Sequence, residues 1–266
     1  MPGWIIRIGQ FLFGIAITAF GVENLICARL GLTVPGVPWF PANPFLAYLT
    51  GIVLLAAGVS IAANIRARLT ATLLGILFLL YVVLLEVPQV AAEPMSVSTR
   101  TVFFEALAIG SSALTLAATL PAGGSFPRWD RVLNKLIGFG PYLFGVSSVV
   151  FGIDHFLILA VIASLVPAWM PAHMFWACWT GAAFIAAGIS ILTKWMDQWA
   201  AALLGAMFLL WFLLLHSPRV VIAVRSHDPN APDEWSSALI ALALCGGSWI
   251  CARHAQRRRP NSPPPG

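Results

Sequence analysis

Histidines and carboxylates stand at the ends of long apolar runs, where they could hold protons or a metal. In "LLLHSPRV", residues 213–220, three leucines lead into His216, followed by Pro218 and Arg219. In "FGIDH", residues 151–155, Asp154 and His155 close another run, and His173 precedes a third. Imidazole titrates near neutral pH, and imidazole with carboxylate suits Zn or Cu. The full candidate set is Asp154, His155, His173, His216, Arg219, Glu23, Glu86 and Glu105. Three readings compete for it. Polar residues can mark where a helix meets water, with prolines stopping the helix. The same residues can line a proton-coupled pocket for a small molecule. His155, His173, His216 and Asp154 could also bind a metal, but no close spacing such as H-x-x-x-H is present, so no metal is assigned.

The elements that must position these residues are membrane spans. The chain has 266 residues, 59% apolar and 9% charged, with mean hydropathy +0.87. Soluble domains carry roughly 25% charged residues, so water-soluble classes are excluded. Spans of about 20 apolar residues are expected at Trp4–Val22, Phe45–Ile65, Leu69–Leu85, Val102–Leu120, Leu136–Ile153, Met174–Leu192, Trp199–Leu215 and Ser236–Ala252. The runs are apolar all round, which fits helices and not the short alternating strands of a barrel. The fold class is therefore all-α, an integral membrane protein of eight helices. Arg7 and its apolar run resemble a signal peptide, but no clear small-x-small site follows, and an uncleaved first helix is expected.

An even number of spans puts both termini on one side. That side collects Arg7, Arg66, Arg68, Arg128, Arg131, Lys135, Lys194, Arg253, Arg257, Arg258 and Arg259; the other collects Arg29, Arg100, Arg219 and Arg225. The positive-inside rule makes the first side cytoplasmic. Trp4, Trp129, Trp195 and Trp199 then sit near the inner boundary, and Trp39, Trp169 and Trp235 near the outer one. The net charge of +5 belongs to this belt and does not indicate nucleic acid. The basic run before the tail anchors the chain to anionic lipid. None of the four cysteines forms C-x-x-C, so no dithiol mechanism is expected.

The chain is written twice. "FLFGIAITAFGVEN" (11–24) matches "YLFGVSSVVFGIDH" (142–155). "TGIVLLAAGVSI" (50–61) matches "TGAAFIAAGISI" (180–191) at seven of twelve positions. "ATLLGILFLLYVVLLEVPQV" (71–90) matches "AALLGAMFLLWFLLLHSPRV" (201–220) at eleven of twenty. Trp39 and Pro41 match Trp169 and Pro171. Each copy holds four spans, so the copies share one orientation, as in parallel-repeat transporters. The expected division is a first four-helix repeat at 1–120, a cytoplasmic linker at 121–135, a second repeat at 136–254 and a proline-rich, unfolded tail at 255–266. Each repeat is expected to form its own four-helix bundle, its recurring glycines letting helices approach closely.

A helix ending "FGIDH", a stretch to "VPAWMP", "TG" opening an "AAG" helix, then "AALLG" and an apolar run closing at a proline together resemble the DoxX-like family of small bacterial membrane proteins. The resemblance covers residues 136–252, and 4–120 through the repeat, so the chain looks like a tandem duplication. It implies a bacterial inner (plasma) membrane protein and, from some members, a membrane subunit of a quinone-linked redox system. The family's ionisable residue after the first helix falls on His155; the first copy has Asn24 there.

Eight acids and four histidines gather on the expected outer side, so a site belongs at that mouth. Glu86 and His216 occupy equivalent places. Glu105 is the deepest acid, about one turn inside its helix, with Arg100 and Glu86 as expected neighbours. The functional expectation is an outer-side pocket for a quinone-like molecule. Haem, nucleotide and dithiol signatures are missing, so a redox role needs a partner subunit; whether the chain itself is an enzyme stays open. The alternatives are a transporter or permease, which the lack of a paired broken helix disfavours, and a non-catalytic membrane scaffold.

Overall fold

Eight helices long and apolar enough to cross a membrane run through the chain: α1 (Gly3–Leu30), α2 (Pro44–Ala62), α3 (Ala67–Ala92), α4 (Val97–Thr119), α5 (Asp130–Leu157), α6 (His173–Thr193), α7 (Asp197–Arg225) and α8 (Ala231–Arg257). A short helix, Leu159–Leu165, joins α5 to α6. The computed structural model describes residues 3–30, 43–121, 130–228 and 231–258. The expected matches Trp39 and Pro41, most of the linker at 121–135 and most of the tail at 255–266 lie outside the described residues. Asp130, expected in the linker, already begins α5.

The helices start where the sequence offers caps. The Asn43 side chain accepts from the Leu46 N–H, with Pro44 in the first turn of α2. The Ser96 side chain accepts from the Thr99 N–H at the start of α4. Both supply partners for backbone donors that a helix start leaves open.

The exterior is apolar. Phe45, Leu73, Leu84, Ile222 and Leu203 are all more than half exposed. Exposed Trp195 and Trp199 flank the α6–α7 turn, while Trp169 and Trp235 lie at the opposite end. Aromatic belts of this kind mark membrane boundaries, and the chain is a multi-pass membrane protein. α1 begins at the end of the bundle where α8 finishes; the opposite end is called the far end below.

Packing is carried by small residues, because lipid supplies no hydrophobic drive between helices. A Cβ on Gly21 would strike the Gly51 carbonyl and Leu55, and one on Gly152 would strike the Gly181 carbonyl and Ile185. So α1 meets α2 as α5 meets α6. Gly75 closes on Leu114 as Gly205 closes on Trp249. At the α2–α3 turn Ser60 donates to the Ile65 carbonyl, with Asn64 and Arg66 at positive φ; at the α6–α7 turn Ser190 donates to the Trp195 carbonyl, with Lys194 and Met196 at positive φ.

Two self-contained bundles do not describe the contacts. α1 packs on α2 and α8, α5 packs on α6 and α4, and α4 packs along α8 at the centre. The first helix of each half thus rests on the last helix of the other. Gly9 meets Gly246 on one side, and Gly140 meets Ser111 on the other. The reason is local: these small positions let two backbones touch. α4 and α8 are consequently the most enclosed spans, with 67% and 78% of their apolar windows buried.

Polar groups tie the halves together at the termini end. Arg68 donates to the Leu120 carbonyl (3.0 Å) and to Asn134 (2.8 Å). Arg257 reaches the Thr119 carbonyl across the halves, while Arg258 pairs with the buried Asp197 within the second half. All four cysteines are free.

Candidate functional site

The proline-ended reading of Glu86 and His216 is overturned. Neither helix stops there. In α3 the turn widens over Val82–Glu86 into a π-helix and the helix continues to Ala92; in α7 it widens over Phe212–His216 and continues to Arg225. A proline inside a helix lacks an N–H and crowds the carbonyl four residues back, here Leu84 before Pro88 and Leu214 before Pro218. The wide turn absorbs that crowding. The Val87 N–H donates to the Val82 carbonyl, and the Ser217 N–H and hydroxyl both reach the Phe212 carbonyl. In lipid, no water could have satisfied a frayed end, so the chain stays helical and both ionisable residues are held inside a span. Paired helix interruptions, not expected from the sequence, therefore occur at matching places in the two halves.

Beside the second of them lies a cavity of about 900 Å³, walled by α5, α6 and α7 and closed behind by α4 and α8. Four of the candidate residues line it: Asp154, His155, His216 and Glu105. His173, Arg219, Glu23 and Glu86 do not line it. His173 is the first residue of α6. Arg219 forks onto Glu234 of α8 at 2.8 and 2.5 Å. Glu23 accepts from Ser236 at 2.7 Å. Glu86 shares a hydrogen bond with Tyr81 and is 1% exposed, one carboxyl oxygen being unpaired.

His155 is the centre of the polar wall. It is 8% exposed. Its Nδ1 lies 2.8 Å from the Phe151 carbonyl. A carbonyl only accepts, so Nδ1 carries the proton. Nε2 then holds a lone pair, and it has no partner. The ring is set in an aromatic box: it stacks on Trp211 at 5.6 Å and 16°, and tilts against Phe184 at 5.1 Å. Phe184 in turn meets Phe151 and Phe208 edge-on. Such contacts fix the ring plane. On the α7 wall, His216 also has an unpartnered nitrogen, Nδ1.

Asp154 serves a different purpose. It is 3% exposed and accepts from Arg100 through Nε (2.8 Å) and Nη2 (2.5 Å). The Thr101 hydroxyl lies 3.4 Å from its other oxygen. Arg100, expected beside Glu105, thus belongs to Asp154 and pins α4 to α5. Glu105 is eight residues into α4, deeper than expected because the helix begins at Val97. It lines the cavity and also lies within electrostatic reach of Glu86. Among the described residues, no group of three or more His, Cys, Asp or Glu side chains is placed to hold a metal ion.

The aromatic box was missed by sequence reasoning, and Arg100 was expected beside Glu105 where the structure pairs it with Asp154. A signal existed. At aligned positions of the repeat, Leu54, Tyr81, Asn24 and Glu86 become Phe184, Trp211, His155 and His216, and all four second-half residues line the cavity. No protein-family model, no curated protein and no solved structure matches the chain.

Proposed function

We propose that the chain is a DoxX-like membrane protein made of two copies of one four-helix unit. Both termini lie in the cytoplasm of a bacterial inner membrane, and the second copy binds a quinone-like molecule at its outer side as the membrane subunit of a redox system. The observation that carries the binding reading is the unpartnered Nε2 of a buried, ring-stacked histidine in the wall of a cavity large enough for such a ligand. Pockets of roughly 300–1,000 Å³, mostly apolar with few polar groups, are the usual form of small-molecule sites. The recurring glycine contacts, turns and π-segments support the duplicated architecture, with a pseudo-two-fold along the membrane normal. The divergence of His155 and His216 from Asn24 and Glu86 supports a role confined to the second copy. A quinone held here would supply the electron-carrying chemistry; His155 and His216 would hold or exchange protons with its oxygens. Electrons would have to pass to or from a partner subunit.

Binding of a decyl-tailed benzohydroquinone to the protein in nanodiscs tests this. His155→Ala and His216→Ala are each expected to weaken it about tenfold, the scale of a lost hydrogen bond in a dry site, with unchanged membrane insertion. Unaltered affinity in both variants would sink the pocket. Orientation is tested separately by cysteine labelling in intact cells: position 66 should be protected from an impermeant reagent and position 225 reactive. Labelling of both from outside overturns the topology.

The matched π-segments favour a second reading. Interrupted helices at corresponding places in two parallel repeats are a mark of transporters. Uptake of a ligand by proteoliposomes, without any quinone binding, would decide for it.

A further inference from the structure

The cavity is long, and polar at one end. From Trp199 to His216 the α7 residues that line it are 17 residue steps apart, about 26 Å at 1.5 Å per step. That is most of the roughly 30 Å hydrocarbon thickness of a bilayer. Its ionisable groups, Glu105, Asp154, His155 and His216, all come from the far half of their spans or beyond, while the remainder is mostly apolar, with the hydroxyls of Thr101, Thr180, Ser190 and Ser237 among it. It also opens sideways. Trp179 of α6 and Leu203, Leu210 and Leu214 of α7 line it, yet these side chains are 44–69% exposed. The cleft between α6 and α7 therefore faces the surrounding hydrocarbon. The donors of Arg100, Thr101 and the His155 ring are already engaged, which leaves the ring N–H groups of Trp211 and His216 at the polar end. Among the described residues, no lysine or arginine lines the cavity. The Nδ1–H of His155 is spent on Phe151, the oxygens of Asp154 are turned to Arg100 and Thr101, and the Thr101 hydroxyl itself donates to the Val97 carbonyl. What a neutral His155 presents is a lone pair.

We infer that this is a lateral site for a long-tailed amphiphile whose head carries O–H donors, taken directly from the bilayer through the α6–α7 cleft. The inference rests on the binding reading above and narrows it: of a quinone couple, the site takes the hydroxyl-bearing, reduced member. The tail lies along α7 towards Trp199, and the head gives its hydroxyl proton to a hydrogen bond with Nε2 of His155. An unpaired buried acceptor is costly, so a head with a donor is selected over one without.

The test uses the full chain in nanodiscs and four probes: a decyl-tailed benzohydroquinone, its dimethyl ether, the matching benzoquinone, and decane as a tail without a head. The hydroquinone should bind at least tenfold more tightly than the ether or the quinone, with decane weakest. His155→Phe keeps a ring against Trp211 and should bring the hydroquinone-to-ether ratio to about one. Ala186→Trp, at an exposed position lining the cleft, should weaken the hydroquinone tenfold or more. Equal binding of hydroquinone and ether, or tighter binding of the quinone, overturns the donor inference while leaving the pocket standing. A preference that survives His155→Phe overturns the assignment to His155. Hydroquinone binding unmoved by Ala186→Trp overturns lateral access. If no probe binds saturably to the unmodified protein, the binding reading falls as well. The probe comparison on the unmodified chain decides the main point even if a variant fails to fold.

Discussion

Replacing Arg100 with methionine is expected to destabilise the folded protein by about 3–5 kcal/mol, the cost of stripping a buried charge of its partner. Asp154 is 3% exposed, so its carboxylate would be left buried and unpaired by charge once the guanidinium is gone. The loss spreads in two directions. Arg100 is on α4 and Asp154 on α5, so the ion pair joins the two halves. Asp154 also precedes His155, so the aromatic box and its ligand site should loosen together. Arg219→Met makes the comparison. Its pair with Glu234 has the same fork geometry, but the arginine side chain is 41% exposed and the carboxylate 19%, against 23% and 5% for Arg100 and Asp154. Screening reduces such a pair to about 1 kcal/mol or less. Steric-trap unfolding in nanodiscs should rank the variants in that order. Asp154→Asn added to Arg100→Met should recover most of the loss, because no bare charge remains. A double variant as unstable as Arg100→Met alone would mean that the arginine acts by packing and not by charge.

The spans were legible because length and hydropathy decide membrane crossing, and the repeat was legible because packing glycines tolerate little change. Two things were not. A proline after an ionisable residue reads as a helix end by the rules of water, where a frayed turn is hydrated. In lipid the unmet backbone groups cost too much, and the helix bulges and goes on, which turned His216 from a boundary residue into a wall of the cavity. The pairing of halves was hidden for another reason. Nothing in residues 1–120 distinguishes α4 from α8 as the partner of α1, since both present small residues. The facing of Gly9 with Gly246 and of Gly140 with Ser111 helps to select the crossed arrangement. Of the eight named site residues, the four that line the cavity lie on α4, α5 and α7, while Arg219 and Glu23 are directed to partners on α8, Glu86 bonds Tyr81 on its own helix and His173 stands at the start of α6, a distinction that helix phase and tertiary packing make and residue type does not.

That crossed arrangement makes Gly246 the most sensitive position on the α1–α8 seam. A Cβ there would lie 2.6 Å from the Phe13 backbone nitrogen and 2.7 Å from the Gly9 carbonyl oxygen. Overpacking ordinarily costs about 1–3 kcal/mol, because side chains can shift aside. Helical backbone cannot shift without moving α1 bodily, so Gly246→Leu should exceed that range and fail to give monodisperse protein. Gly246→Ser should be milder, since the smaller side chain separates the backbones less. Gly138→Ala is the control: a Cβ there meets nothing within 4 Å, so yield and unfolding should be unchanged. The informative quantity is the gradient with side-chain size, read by size-exclusion profile and unfolding midpoint. If leucine and serine at 246 behave alike and both match the unmodified chain, α1 does not rest on α8, and each half must close on itself after all. If the gradient holds, α1 cannot leave α8 without cost, and the wall that α8 gives the second-half cavity depends on a helix from the first half. The first copy, which lacks His155 and His216, would then still be needed to hold the site that the second copy carries.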